Sequence, residues 1–259
     1  MRWRLGVVGS PIDHSRSPEL HQAGLASVGL TGHSERIDVT LDEVDTFVAR
    51  MGRDFDAVSV TMPLKAALAT RCEWLDESAI RLGVVNSLRW HEGALQGRAT
   101  DGPGFLNALF GEWHYDVMGR HVVVEGTGGS ATAIIDALVH AGVARVSLVG
   151  RNDQARHALC ASYCGVVCDD RTDDHVDLVV TTTPAPGRSD PSMYAGVDHA
   201  TRAIDITYNE PVSKWMKYYS AEGCAVMNGL PMLAYQAALQ MSWWWGVPLD
   251  GAALMTVLR

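Results

Sequence analysis

Two stretches hold side chains whose types suit proton transfer to or from a small molecule. SVTMPLK ends in Lys65, and GRATDGPG contains Asp101. Each residue stands at or near the end of an apolar run that reads as a strand, where α/β folds bind their ligands. Reduction of a ketone by hydride leaves negative charge on oxygen, which a nearby acid must protonate. A lysine held in place by a carboxylate can give that proton, and the same group serves as base in reverse. On residue type alone, a surface ion pair is the simpler account. A third stretch, GSPIDHSRSPELH at residues 9–21, carries more polar groups than a chain reversal needs. Ser17 is placed to cap a following helix, with Pro18 at its first position. His14 reads as a loop hydrogen-bonding residue and His21, one turn into that helix, as structural.

A different chemistry is written at residues 122–131, VVVEGTGGSA. An apolar strand runs straight into Gly126-Thr127-Gly128-Gly129, and a helical pattern opens at Ser130. Glycines there permit a tight strand-to-helix turn and let the backbone approach a pyrophosphate at the helix N-terminus. A purely structural turn is the competing reading. Glu125 counts against an anion site unless its carboxylate faces away. The next strand ends in Gly150-Arg151-Asn152, where an NAD site usually carries an acidic residue for the ribose hydroxyl. Arg151 suits a 2′-phosphate instead, which favours NADP, with NAD possible because Asp153 is close. A solvated surface arginine is the alternative.

The elements that must position these groups follow from the alternation of patterns. Strand-like runs at Leu5–Gly9, Ile37–Val39 and Ala57–Thr61 alternate with helical patterns at Pro18–Gly29, Leu41–Met51 and Lys65–Arg71. A second series has strands at His121–Glu125, Val146–Val149, Leu178–Thr182 and Ala203–Thr207, with helices at Ser130–His140 and Asp153–Cys164. Helical patterns at Leu230–Trp245 and Gly251–Leu258 close the chain. The class is therefore α/β with mainly parallel sheet. A boundary near Asp101–Pro103 gives a first domain over residues 1–102 and a dinucleotide-binding domain over residues 103–229.

The 259 residues are 47% hydrophobic and 20% charged, with a formal net charge of -9. That balance gives no electrostatic footprint for nucleic acid or an anionic membrane. Five cysteines, an odd number without a secretion signal, fit reduced thiols and a cytoplasmic location. Cys160, Cys164 and Cys168 have no histidine pair beside them, so no metal site is expected. Trp243-Trp244-Trp245 reads as packing or subunit contact.

The motifs GSPIDHSRSPELH, SVTMPLK, GVVNS, GRATDGPG, EGTGGSA, GRN, DLVVTTTP, DITYNEP and NGLPMLAYQAA occur in the order and spacing of shikimate dehydrogenases. The chain resembles that family from Gly6 to about Gly246. The resemblance implies an N-terminal α/β substrate domain and a Rossmann NADP-binding domain, with residues 230–259 packing back on the first. It implies that Lys65 and Asp101 are the catalytic pair. Ser15, Ser17, Thr61, Asn86, Tyr208 and Gln236 are implied to bind a cyclohexene carboxylate substrate. Gly126, Thr127, Gly128, Gly129, Ser130, Arg151, Thr182 and Met232 are implied to hold the cofactor. The implied reaction is reversible reduction of 3-dehydroshikimate to shikimate, in a monomer or homodimer. Ser17, rather than Thr, favours shikimate over quinate, while an amino analogue or a non-catalytic binder on the same fold are rival outcomes. As cap and ligand roles compete for one serine oxygen, Ser15 is the unencumbered one. The sequence departs from the family pattern at Gln22, Ser87, Ala99 and Thr181. Ala99 removes an amide beside Asp101, which is expected to alter turnover or substrate choice.

Overall fold

The computed structural model describes residues 2–168, 174–183, 194 and 196–258. Contacts divide the chain into two compact units, residues 1–104 with 233–259, and residues 105–232.

In the first unit the chain runs β1 (Arg2–Gly9), α1 (Ser17–Ser27), β2 (Thr31–Asp38), α2 (Val44–Val48), β3 (Ala57–Val60) and α3 (Lys65–Ala69). It continues through β4 (Trp74–Leu75), α4 (Glu77–Leu82), β5 (Ser87–His91) and β6 (Ala94–Arg98) into α5 (Asp101–Trp113). The sheet order is β2-β1-β3-β5-β6-β4. β1 pairs in parallel with both β2 and β3, whereas β5 runs antiparallel to β3 and to β6. This alternation brings the carboxyl ends of β1, β3 and β6 and the amino end of β5 to one edge of the sheet. The core beneath them includes Val8, Phe47, Phe55, Val58, Leu64, Leu68, Leu88 and Ala99.

Several elements differ from the sequence reading. β2 is eight residues long rather than three, because TGHSERID is a mostly exposed edge strand with only Ile37 buried. A polar edge has little apolar periodicity to detect. Leu41–Met51 is not one helix: it opens with a 3₁₀ turn at Leu41–Glu43 and holds only the short α2. The β5–β6 hairpin turns at Glu92-Gly93, both with positive φ (52° and 80°), a two-residue primed-type connection. Ser17 is not a cap. Arg16 occupies the N-cap position, Ser17 is the first helical residue, and no side chain caps the helix.

The second unit begins within α5 and contains β7 (His121–Glu125), α6 (Gly129–His140), β8 (Arg145–Val149), α7 (Asp153–Ser162) and β9 (Val167–Cys168). After these come β10 (Leu178–Thr181), β11 (Arg202–Asp205), α8 (Lys214–Ala221) and β12 (Ala225–Met227). Strand pairing among the described residues is parallel throughout, in the order β12-β11-β10-β7-β8-β9. β7 starts the series outward to β8 and β9, and β10 starts the return on its other side. The crevice at the carboxyl ends of β7 and β10 is thus the topological switch point, where doubly wound sheets take their ligands. Valines and isoleucines fill these strands on both faces, as a covered parallel sheet requires. α9 (Leu230–Trp245) leads back to the first unit, which α10 (Gly251–Leu258) completes. No helix among the described residues is long and apolar enough to cross a membrane.

Candidate active site

At the converging edge of the first sheet, the loop after β1 meets the loop after β3. Ser10 N–H donates to Met62 O at 3.1 Å, and Thr61 N–H donates to Val8 O at 2.9 Å. The approach is close enough that a Cβ on Gly9 would lie 2.4 Å from Thr61 Cγ2 and 2.7 Å from Met62 O. Gly9 is therefore the residue that lets Thr61 sit beside the serine loop.

Ser15 and Ser17 are both buried. Ser15 Oγ accepts from the Ser17 N–H at 3.3 Å and donates to Ser17 Oγ at 3.3 Å. The competition between backbone and ligand thus falls on Ser15 rather than Ser17. Among the described residues Ser17's own hydroxyl proton is not committed to an acceptor. Arg16 turns away, donating to the carbonyls of Leu258 (3.0 Å) and Val257 (3.3 Å). Arg36 pins the same loop by donating to Ser15 O at 2.8 Å.

Lys65 opens α3 and Asp101 opens α5. Lys65 Nζ donates to Asp101 Oδ2 at 2.5 Å, with both side chains mostly buried. The other carboxylate oxygen accepts from Asn86 Nδ2 at 2.7 Å. Asn86 is itself fixed, because its Oδ1 accepts from the Thr100 N–H at 2.7 Å. That backbone donor decides which amide atom faces Asp101. Asn86 Nδ2 also lies 3.1 Å from Gln236 Oε1 and 3.0 Å from Thr100 Oγ1. Both Asp101 oxygens therefore have donors without any side chain at position 99. Ala99 instead packs into the core of this unit, with its N–H on Asp76 Oδ1 at 3.3 Å. Of the other departures, Ser87 accepts from Trp244 Nε1 at 2.9 Å, Thr181 is buried beside Thr183, and Gln22 is exposed.

The first unit thus gathers Ser15, Ser17, Thr61, Lys65, Asn86, Asp101 and Gln236. Thr100, Ser59 and Gln240, which sequence reasoning missed, join the same hydrogen-bond system, as does His21, which it read as structural. The signals were present: Ser59 lies on β3 two residues before Thr61, and Gln240 lies one helical turn after Gln236 among apolar residues. The tryptophan run is spent on packing within this unit. Trp244 meets His21 edge-on at 5.1 Å, Trp243 lies under the Arg89 and Arg98 guanidinium groups, and Trp245 packs near Trp3.

In the second unit, Gly126 follows β7 with φ 123°, a conformation open to glycine. A Cβ there would lie 2.2 Å from Thr182 Oγ1. Thr182, just past β10, donates its N–H (2.8 Å) and hydroxyl (2.9 Å) to Glu125 O. Added Cβ atoms on Gly128 and Gly129 would meet nothing within 4 Å. Bare backbone thus faces open space at the start of α6, and Ser130 follows in its first turn. These are the features a pyrophosphate needs. Glu125 does face away: Tyr194 OH donates to its Oε1 at 2.8 Å and Trp215 Nε1 to its Oε2 at 3.2 Å, deep in the core. Thr127 packs beside Gly150. Arg151 is exposed at the tip of β8. The carboxylate of Asp153 is held by Arg156 at 2.8 Å, next to the Asn152 cap of α7. Tyr208 lies in the loop after β11, and Met232 packs against the unit's core from α9. No group of three or more His, Cys, Asp or Glu that could hold a metal occurs among the described residues.

Residues 7–88 match the family model described as the shikimate dehydrogenase substrate binding domain. The shikimate dehydrogenase (NADP(+)) of Exiguobacterium sp. strain AT1b is 34% identical over 252 residues, covering 95% of this chain and 94% of that one. The enzyme of that name from Thermus thermophilus is 33% identical, covering 99% and 97%. The crystal structure of shikimate 5-dehydrogenase from Thermus thermophilus in complex with NADP(H) and shikimate superposes with a TM-score of 0.90. It is 31% identical and the match covers 99% of this chain and 98% of that one. The Mycobacterium tuberculosis shikimate dehydrogenase superposes with a TM-score of 0.84 at 30% identity, covering 98% and 97%. With similarity extending over both units in sequence and in structure, the chain belongs to the shikimate dehydrogenase family.

Proposed function

We propose that the protein catalyses the NADP-dependent, reversible reduction of 3-dehydroshikimate to shikimate. The observation that carries this reading is the Lys65–Asp101 pair at 2.5 Å, held by Asn86 at the sheet edge that also bears the two serines. NADP, when bound, exchanges the hydride with the ring carbon. The Lys65 ammonium delivers a proton to the carbonyl oxygen as charge develops there, and the neutral amine takes it back in the oxidative direction. Asp101 fixes the amine and accepts from a neighbouring ring hydroxyl. Ser17 donates its uncommitted O–H to the substrate carboxylate, Ser15 supports it, and Thr61 and Gln236 line the remaining sides. Tyr208 and Met232 belong to the second unit, where Met232 packs against the core. The bare turn Gly126–Gly129, with Thr127, Ser130 and Thr182, receives the pyrophosphate. Arg151 takes the 2′-phosphate, and the pairing of Asp153 with Arg156 removes the acidic group that would oppose it.

Steady-state kinetics with shikimate, quinate and an amino analogue, each with NADP and NAD, tests this. The highest kcat/KM is expected for shikimate with NADP, and a preference for quinate with NAD overturns the reading. Lys65→Met is expected to lower kcat by about 10²-fold or more. Arg151→Ala is expected to lower kcat/KM for NADP by about tenfold, the scale of one charge-assisted hydrogen bond, and to leave NAD nearly unaffected.

A further inference from the structure

Behind Asn86 and Gln236 runs a chain of buried polar side chains that the reaction itself does not use. Its groups are Ser34, His21, Ser59 and Gln240, with the last three buried. Ser34 Oγ lies 2.7 Å from His21 Nδ1, and His21 Nε2 lies 3.0 Å from Ser59 Oγ. Ser59 Oγ donates to Gln240 Oε1 at 2.5 Å. Gln240 Nε2 donates to Gln236 Oε1 at 2.5 Å and to the Asn86 backbone carbonyl at 3.1 Å.

The direction of every bond is settled by that carbonyl, which can only accept. The Gln240 atom facing it must be the nitrogen, so the oxygen faces Ser59 and Ser59 must donate. The Ser59 oxygen then accepts from His21 Nε2–H, and His21 Nδ1 accepts from Ser34. Burial pushes the His21 pKa down to about 3, so the imidazole stays neutral and keeps one tautomer. At the other end, Gln236 Oε1 is drawn inward by two amide donors, Asn86 Nδ2 and Gln240 Nε2. Its nitrogen, which also donates to Leu233 O at 3.1 Å, is thereby held outward as a donor. A substrate hydroxyl oxygen or carboxylate fits such a donor.

We propose that Gln240, oriented by Ser59 and His21, is a positioning residue for the site. It fixes which face of the Gln236 amide meets the substrate, holds the Asn86 main chain through its carbonyl, and through Gln236 Oε1 steadies the Asn86 side-chain amide that holds Asp101. Without its Nε2–H the Gln236 side chain can flip, presenting an acceptor where a donor is needed. This inference rests on the proposed reaction, and it reaches substrate through Gln236 and Asn86 only.

Three variants test it: Gln240→Leu, which keeps volume but cannot donate; Ser59→Ala, which leaves Gln240 without its orienting donor; and Gln240→Glu. Each is measured for kcat, for KM of shikimate and of NADP, for shikimate binding by calorimetry, and for thermal unfolding. Gln240→Leu is expected to lower kcat/KM for shikimate at least tenfold, with KM for NADP within twofold of native. Ser59→Ala is expected to change the same parameters by a smaller factor. In Gln240→Glu the carboxylate faces two acceptors, whereas the protonated acid can donate. Its kcat/KM, divided by the native value at each pH, is therefore expected to rise as pH falls. A merely structural role would lower the unfolding temperature and leave both the KM split and that pH ratio unmoved. Folded Gln240→Leu and Ser59→Ala proteins with native kcat and KM for shikimate overturn the inference alone. Native protein that neither turns over nor binds shikimate overturns the proposed function, and the inference falls with it.

Discussion

Two serines two residues apart divide the work differently from what their positions suggest. Ser17 stands before Pro18 where a capping residue belongs, yet the helix has already begun there and Ser15 supplies the oxygen that meets Ser17's N–H. One residue of phase exchanges which serine keeps an uncommitted hydroxyl proton, and no residue-type rule reports that phase. Lys65 and Asp101 were legible as types near strand ends and Asn86 only through the family resemblance, while their meeting depends on strand direction. His21 was legible as structural, and the structure adds what it is structural for. The unfolded chain's imidazole titrates near 6.5, while the buried one titrates near 3. Between those values the unfolded state holds a proton that the folded state lacks, so stability is full above about pH 6.5 and falls as pH drops below it. The slope from this one group is ~1.4 kcal/mol per pH unit at most. Urea unfolding of native protein and His21→Gln between pH 7 and pH 4.5 is expected to give a shallower pH dependence for the variant; equal slopes would remove His21 as the cause.

At the level of elements, the central Rossmann strands β7, β8, β10 and β11 were readable because parallel strands covered on both faces are continuous apolar runs, whereas the short edge strands β9 and β12 were not. β2 and the β5–β6 hairpin were not, because their burial is partial and their chemistry belongs to an edge and a primed turn. The antiparallel turn-back at β5 matters most for the candidate site: it places Asn86 beside the carboxyl end of β3. The strand order sets the switch point of the second sheet, and the tight turn there depends on Gly126. In Gly126→Ala the added Cβ meets both an unfavourable φ and Thr182 Oγ1 at 2.2 Å. The turn must deform by moving the backbone proposed to receive the pyrophosphate. Fluorescence titration is expected to show NADP affinity falling at least tenfold, while calorimetric shikimate affinity stays within twofold. Native NADP affinity in the variant would argue that this turn does not carry the phosphates.

Across the whole molecule, the two units are built from the chain in different ways. Residues 105–232 are one continuous stretch, whereas residues 1–104 are completed only by residues 233–259. The final segment contributes Gln236 and Gln240 to the site, Trp244 against His21 and Ser87, and the carbonyls that grip Arg16. That discontinuity imposes an order on synthesis. A ribosome delivers residues 1–104 of the first core long before its closing helices, so the usual N-terminal-first sequence of domain folding is expected to be reversed here. The second unit can close while the first still waits for its last two helices. Limited proteolysis of ribosome-stalled chains of increasing length is expected to show protection of residues 105–232 before that of residues 1–104. Protection in the opposite order would mean that the N-terminal half holds together without its final helices. During that wait the apolar surface of residues 1–104 lacks its final cover, and Gln236 and Gln240 are the last side chains to join a candidate site whose serines were made first.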